Sequence, residues 1–92
     1  MVHEYSLKVF GNELFDTLAF IKDHQHKIGE DWYCKMSQQE IADSLHISKL
    51  KVNRYIRQLK EYGFLKYFGD KRGFYELTET GEDAYRRMIK NN

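Results

Sequence analysis

Proline is absent from this sequence, and cysteine occurs once, as Cys34. Without proline, glycines and helix-capping residues have to mark the ends of the helices and strands. A single cysteine excludes an intramolecular disulfide, which fits a reducing compartment. There is no run of about 18 apolar residues, which excludes a transmembrane helix. The first residues also lack the basic-then-apolar order of a signal peptide, and we therefore expect a cytoplasmic protein.

Motifs for catalysis and for metal binding are missing as well. The chain has 92 residues, which predicts one domain, residues 1–92, with little room for a catalytic cleft. We find no nucleophile–base pair, glycine-rich phosphate loop or carboxylate pair in a context that supports catalysis. His24, His26 and Cys34 lack the paired spacing of a structural zinc site. We therefore expect no enzyme, no metal and no cofactor, and we interpret Cys34 as a small buried residue.

Net charge is small but unevenly distributed. Lysine and arginine number 15 against 14 acidic residues, a net of +1. Between His46 and Tyr75, however, the sequence has eight lysines and arginines and only two acidic residues, a local net charge of +6. The rest of the chain therefore has a net charge of −5. Such a segment predicts a basic surface on an acidic body, and a basic surface attracts polyanions.

The N-terminal third predicts an arm, a helix and a strand. Residues 1–11 are interpreted as an arm. Asn12 can cap a helix that runs to about His24, and a polar loop is expected over 24–31. Residues 32–36 are typical of a short strand. The apolar positions of the helix recur at helical spacing: Leu14, Leu18 and Ile21.

Two capped helices follow in close succession. Ser37 with Glu40 three residues later is the capping-box pattern and opens the first. Ser48 caps the second, which runs over about 49–62, and Gly63 stands where a left-handed C-terminal cap belongs. Two short helices joined by a tight turn, the second of them basic, are typical of a helix-turn-helix.

The remaining residues predict a hairpin and a last helix. Aromatic and β-favouring runs flank the turn "GDKRG", which predicts a β-hairpin over 64–78. A helix is expected over 79–92, beginning after Thr78. The order of elements is therefore helix, strand, helix, turn, helix, hairpin and helix.

The second of the paired helices presents residues suited to reading DNA. At 3.6 residues per turn, Val52, Ile56 and Leu59 share one face and should anchor in the core. The other side combines arginine, which can read guanine, with amides for adenine and an apolar group for the thymine methyl. The candidate DNA-binding residues of this helix are Ser48, Lys49, Leu50, Lys51, Asn53, Arg54, Arg57 and Gln58. At the start of the preceding helix, the candidates for phosphate contact are Ser37 and Gln38.

The runs "SQQEIADSLHISKLKVNRYIRQLKEYGFL", "KYFGDKRGFYELT" and "LTETG" resemble the winged helix-turn-helix domain of MarR-type and related bacterial regulators. The resemblance implies an α+β fold with a three-helix core, a hairpin wing and a C-terminal helix. It also implies that the basic helix enters the major groove and that the wing tip, Lys71 and Arg72, touches the minor groove or backbone. Full-length members use long terminal helices to dimerise and to form a ligand pocket. This chain is short at both ends, and no small-molecule effector is evident.

Three functions stay open at this level. The leading one is sequence-specific binding of double-stranded DNA by a transcription regulator, a repressor that occludes a promoter. The second is a plasmid or phage accessory protein that marks a replication, partition or transfer origin. The third is a winged helix that binds another protein and no DNA. One half-site helix gives little specificity alone, which favours a homodimer or clustered binding on repeated sites.

Overall fold

The computed structural model describes residues 12–70 and 73–91, so the predicted N-terminal arm lies outside the described residues. Within the described ranges, no helix has the length and apolar character that a membrane span requires. The elements in chain order are helix α1 (Asn12–Asp23), strands β1 (His26–Ile28) and β2 (Asp31–Lys35), helices α2 (Gln38–Leu45) and α3 (Lys49–Glu61), strand β3 (Leu65–Tyr67), a single 3₁₀ turn (Phe68–Asp70), strand β4 (Phe74–Leu77) and helix α4 (Glu79–Asn91).

The predicted N-terminal caps of α2 and α3 are both present. The Ser37 hydroxyl accepts a hydrogen bond from the Glu40 backbone N–H at 3.0 Å, and the Glu40 carboxylate accepts one from the Ser37 N–H at 2.8 Å. This reciprocal pair is the capping box expected from the sequence. The Ser48 hydroxyl accepts from the Lys51 N–H at 3.1 Å and starts α3 in the same way.

The C-terminal end of α3 also follows the prediction. Gly63 has a φ of +81°, a left-handed conformation that costs a glycine little. The Phe64 N–H donates to the Leu59 carbonyl at 2.9 Å and the Gly63 N–H to the Lys60 carbonyl at 3.0 Å. These two bonds form a Schellman motif, which ends the helix and turns the chain into β3.

The core lies between the helices and one face of the sheet. The α3 residues predicted to face inward, Val52, Ile56 and Leu59, are all buried. Cys34 and Tyr75 are directly paired across β2 and β4 and bring the inner face of the sheet into the same core. The predicted apolar residues of α1 are buried there as well: Leu14, Leu18 and Ile21.

The wing is a hairpin at one side of a four-stranded antiparallel sheet with strand order β1-β2-β4-β3. Leu65 pairs with Leu77 and Tyr67 with Tyr75, so the hairpin expected over 64–78 is confirmed in its strands. The tip residues Lys71 and Arg72 lie outside the described residues.

One part of the prediction is wrong. Instead of a loop over 24–31, the chain forms β1, which pairs with β2 through a two-residue turn that places Ile28 opposite Asp31. Gly29 occupies the first turn position with a φ of +64°, as a type II′ hairpin turn favours. All three side chains of β1 are exposed. The strand therefore has no alternating apolar pattern, and this glycine was its only local signal.

Helix α4 is fastened to the turn that follows α3. Thr78 caps α4 by accepting from the Gly81 N–H at 2.9 Å, while its hydroxyl donates to the Gly63 carbonyl. The Thr78 N–H donates to the Phe64 carbonyl at 3.0 Å. Ala84 then lies buried in the core, so this helix closes one side of the domain.

Candidate nucleic-acid interface

The outer face of α3 carries an exposed apolar residue between cations. Leu50 is 83% exposed, far from the burial expected of a leucine with a packing role. Arg54 and Arg57 are exposed on successive turns of the same helix. The buried side of α3 fixes the helix in the domain, so these three side chains project from a rigid support.

The predicted site residues occupy the positions expected of them in the helix-turn-helix. Lys49, Lys51 and Asn53 are exposed, Gln58 is half-buried, and Ser48 forms the cap described above. Ser37 is exposed and Gln38 half-buried at the start of α2. The geometry thus gathers the helix candidates on one side of α2 and α3.

A chain of side-chain hydrogen bonds joins α2 to this face. The Asn53 amide donates to the Gln38 side-chain oxygen at 3.2 Å, and the Arg57 guanidinium donates to the Asn53 side-chain oxygen at 3.0 Å. A predicted phosphate contact, a predicted adenine reader and a predicted guanine reader are therefore linked. Both bonds are on the exposed side, where water or a polar ligand can replace a partner at small net cost.

Lys51 has a partner that the sequence did not reveal. Its ammonium lies 3.3 Å from the carboxylate of Glu13 on α1. The Tyr55 hydroxyl donates to the same carboxylate oxygen at 2.6 Å. The Tyr55 hydrogen bond, aided by the charges of Lys51 and Arg54, lowers the pKa of the Glu13 carboxyl against the opposing effect of burial. Glu13 is therefore a functional candidate that sequence reasoning missed, because 42 residues separate it from Tyr55.

Two other cations of the basic segment, Lys60 and Lys66, contact side chains of the wing strands. The Lys60 ammonium lies 3.8 Å from the centre of the Tyr67 ring, a cation–π contact between α3 and β3. The Lys66 ammonium lies 3.5 Å from the carboxylate of Glu76 on the neighbouring strand. Among the described residues, Lys49, Arg54 and Arg57 are the exposed cations on the outer side of α3, and the Arg54 guanidinium also lies 5.6 Å from the centre of the Tyr55 ring.

Cys34 has the environment of a structural thiol. Its side chain is fully buried beneath the sheet. Burial, with a smaller effect of the Glu40 carboxylate, raises the pKa of the thiol to about 11. A thiol with so high a pKa is a poor nucleophile at neutral pH, in agreement with its interpretation as a core residue.

Known proteins share the arrangement of α2, α3 and the hairpin wing. Residues 33–66 match the family model described as winged helix-turn-helix DNA-binding. The crystal structure of the transcriptional regulator MosR of M. tuberculosis in complex with DNA matches at 22% identity with a TM-score of 0.68, over 91% of this chain and 61% of that one. This chain has a winged helix-turn-helix fold. The α+β architecture expected from the resemblance to MarR-type and related regulators is thereby confirmed.

Two further structures have the same winged helix fold. The MepR–DNA complex of S. aureus matches at 22% identity with a TM-score of 0.69, over 92% of this chain and 60% of that one. A CRP/FNR-family transcriptional regulator of Thermus thermophilus matches at 14% identity with a TM-score of 0.58, over 80% of this chain and 39% of that one. This winged helix chain thus spans about 60% of the length of MosR and MepR. A comparison with curated proteins finds no match.

Proposed function

We propose that this winged helix protein binds double-stranded DNA through α3 and regulates transcription in the bacterial cytoplasm, as a repressor that occludes a promoter. The observation that carries the proposal is the outer face of α3, where an exposed Leu50 lies beside Arg54 and Arg57. The similarity to MosR and MepR, both described in complex with DNA, supports it.

The chemistry of α3 fits the edges of base pairs in the major groove. Arg54 and Arg57 can each form two hydrogen bonds with guanine, and Leu50 can contact a thymine methyl group. A hydrogen bond to Asn53 favours one orientation of the Arg57 side chain before binding. Because the arginine is partly oriented in the free protein, somewhat less side-chain entropy is lost when it meets a base.

The start of α2 and the wing supply the proposed phosphate contacts. Ser37 and Gln38 lie where α2 begins. The Ser37 backbone N–H already donates to Glu40, so the Ser37 hydroxyl and the N–H groups of Gln38 are the ones that can position the duplex without reading its sequence. Lys71 and Arg72 would add charge from the wing, in the minor groove or on the backbone. Two copies, or several copies on repeated sites, would supply the specificity that one helix lacks.

A pair of double variants tests this proposal. Arg54→Ala with Arg57→Ala should weaken binding to a selected duplex at least about thirtyfold, since two base-reading arginines are removed. The matched control is Arg86→Ala with Arg87→Ala on α4, where both arginines form exposed ion pairs with Asp83. The control should change affinity less than about threefold.

Fluorescence anisotropy measures the affinity of the wild-type protein and of both double variants for the selected duplex. Equal weakening by the two double variants would show that only net charge matters, and would contradict docking through α3. Unchanged binding by the α3 variant would contradict it more directly.

A further inference from the structure

We propose that Glu13 is a positioning residue of the interface, whose carboxylate holds Lys51 against α1 and withholds that ammonium group from DNA phosphates. The inference rests on the proposed function and deepens it. It gives α1 a role in setting how strongly the protein binds DNA of any sequence.

The Glu13 carboxylate is held by a second partner besides Lys51. The Tyr55 hydroxyl donates to Glu13 Oε1 at 2.6 Å from the next turn of α3. The ring of Tyr55 is half-buried against the core, so it offers a fixed donor. Lys51 Nζ approaches the same oxygen to 3.3 Å. An anion that is already fixed pairs with a lysine at less entropic cost than a mobile surface carboxylate does.

Within the described residues, three other ionisable side chains lie near Glu13. Arg54 is the second cation whose charge acts on the carboxylate. Asp16 and His46 line a shallow groove of about 200 Å³ beside it. Asp16 lies one turn further along α1 and is exposed. The short contacts, however, join Glu13 to Lys51 and Tyr55.

A paired lysine contributes less to DNA binding than a free one. A phosphate contact by Lys51 would require the Glu13 pair to break, whereas Lys49 is exposed at the start of the same helix. Each phosphate that a protein neutralises steepens the dependence of log affinity on log salt by about 0.9. Glu13 should therefore lower affinity for all duplexes and make the salt dependence shallower.

The test compares Glu13→Gln with Asp16→Asn on a random duplex of fixed length across a salt series. Glutamine keeps an acceptor for Tyr55 but removes the charge that holds Lys51. We expect Glu13→Gln to raise affinity about two- to fivefold at low salt and to steepen the salt slope by about 0.9. Asp16→Asn removes the same charge one turn away and should leave the slope unchanged. The extra slope should disappear when Lys51→Gln is combined with Glu13→Gln.

The outcomes separate this inference from the proposed function. If the wild-type protein binds with the usual salt dependence but Glu13→Gln behaves like Asp16→Asn, the inference is wrong and the proposed function stands. The same conclusion follows if the gain persists in the double variant with Lys51→Gln. If the wild-type protein binds no duplex at low salt, the proposed function fails and the inference fails with it.

Discussion

Among the glycines in the described residues, Gly81 is the one where an added methyl group would meet backbone atoms at less than 3.0 Å. A Cβ built at Gly81 would lie 2.0 Å from the Phe64 carbonyl oxygen and 2.8 Å from its carbon. Ordinary contacts of a Cβ begin at about 3.4 Å, so α4 would have to move by more than an ångström. The atoms in the way are backbone, which cannot rotate aside.

Such a movement would disrupt the hydrogen bonds that fasten α4. The bonds at risk are those from the Gly81 N–H to Thr78 and from Thr78 to the carbonyls of Phe64 and Gly63. At about 1 kcal/mol each, their loss outweighs the gain of about 1 kcal/mol in helix propensity from glycine to alanine. We expect Gly81→Ala to lower the free energy of unfolding by about 2 kcal/mol and Tm by about 8–16 °C.

A thermal melt followed by circular dichroism measures this effect. Thr80→Ala is the control, because Thr80 is exposed in the same first turn and alanine is a good helix former. The control should melt within a few degrees of the wild-type protein. A Gly81→Ala variant that melts at or above the wild-type temperature would refute the close approach of α4 to Phe64.

Three other predictions concern single side chains. Arg54→Ala should cost about 1–3 kcal/mol at a selected site and relax base preference there; unchanged affinity and preference in a binding titration would contradict the docking mode. Cys34 should react with a thiol reagent at pH 8 at least about a hundredfold more slowly in the native protein than in denaturant, because burial raises its pKa to about 11; equal rates would show that the thiol is accessible. The lowered pKa of Glu13 stabilises the fold above the carboxyl's unfolded pKa of about 4.3, and this contribution is lost as the pH falls through the folded value. Chemical denaturation of Glu13→Gln at neutral and acid pH should therefore show less loss of stability below about pH 4.3 than the wild-type protein shows, and an equal loss would exclude this contribution.

The helix-turn-helix could be predicted because its signals are local. The Ser37 capping box, the Ser48 cap and the Gly63 end each depend on residues within one turn of a helix. The spacing of Val52, Ile56 and Leu59 assigned the buried face of α3, and hence also its exposed face. These signals agree with one another, so the position of the candidate site followed from the sequence.

Other features depend on contacts between distant residues, which local patterns do not report. The carboxylate that holds Lys51 comes from Glu13 on another helix, and no spacing rule connects the two. The side-chain bond from Asn53 to Gln38 likewise spans 15 residues. Strand β1 has only exposed side chains and exists because β2 pairs with it. Sequence patterns located the surface but could not show which of its cations are already paired.

Sequence-specific binding of duplex DNA can be measured directly with random DNA. A pool of random duplexes is bound by the wild-type protein across a salt series, with fluorescence anisotropy as the readout, and the bound DNA is sequenced. We expect binding that weakens steeply with salt and enriches a short motif. A palindrome would indicate a homodimer, and direct repeats would favour the origin-marking alternative. No binding at low salt would contradict the account, and the outer face of α3 would then be a surface for a partner other than DNA.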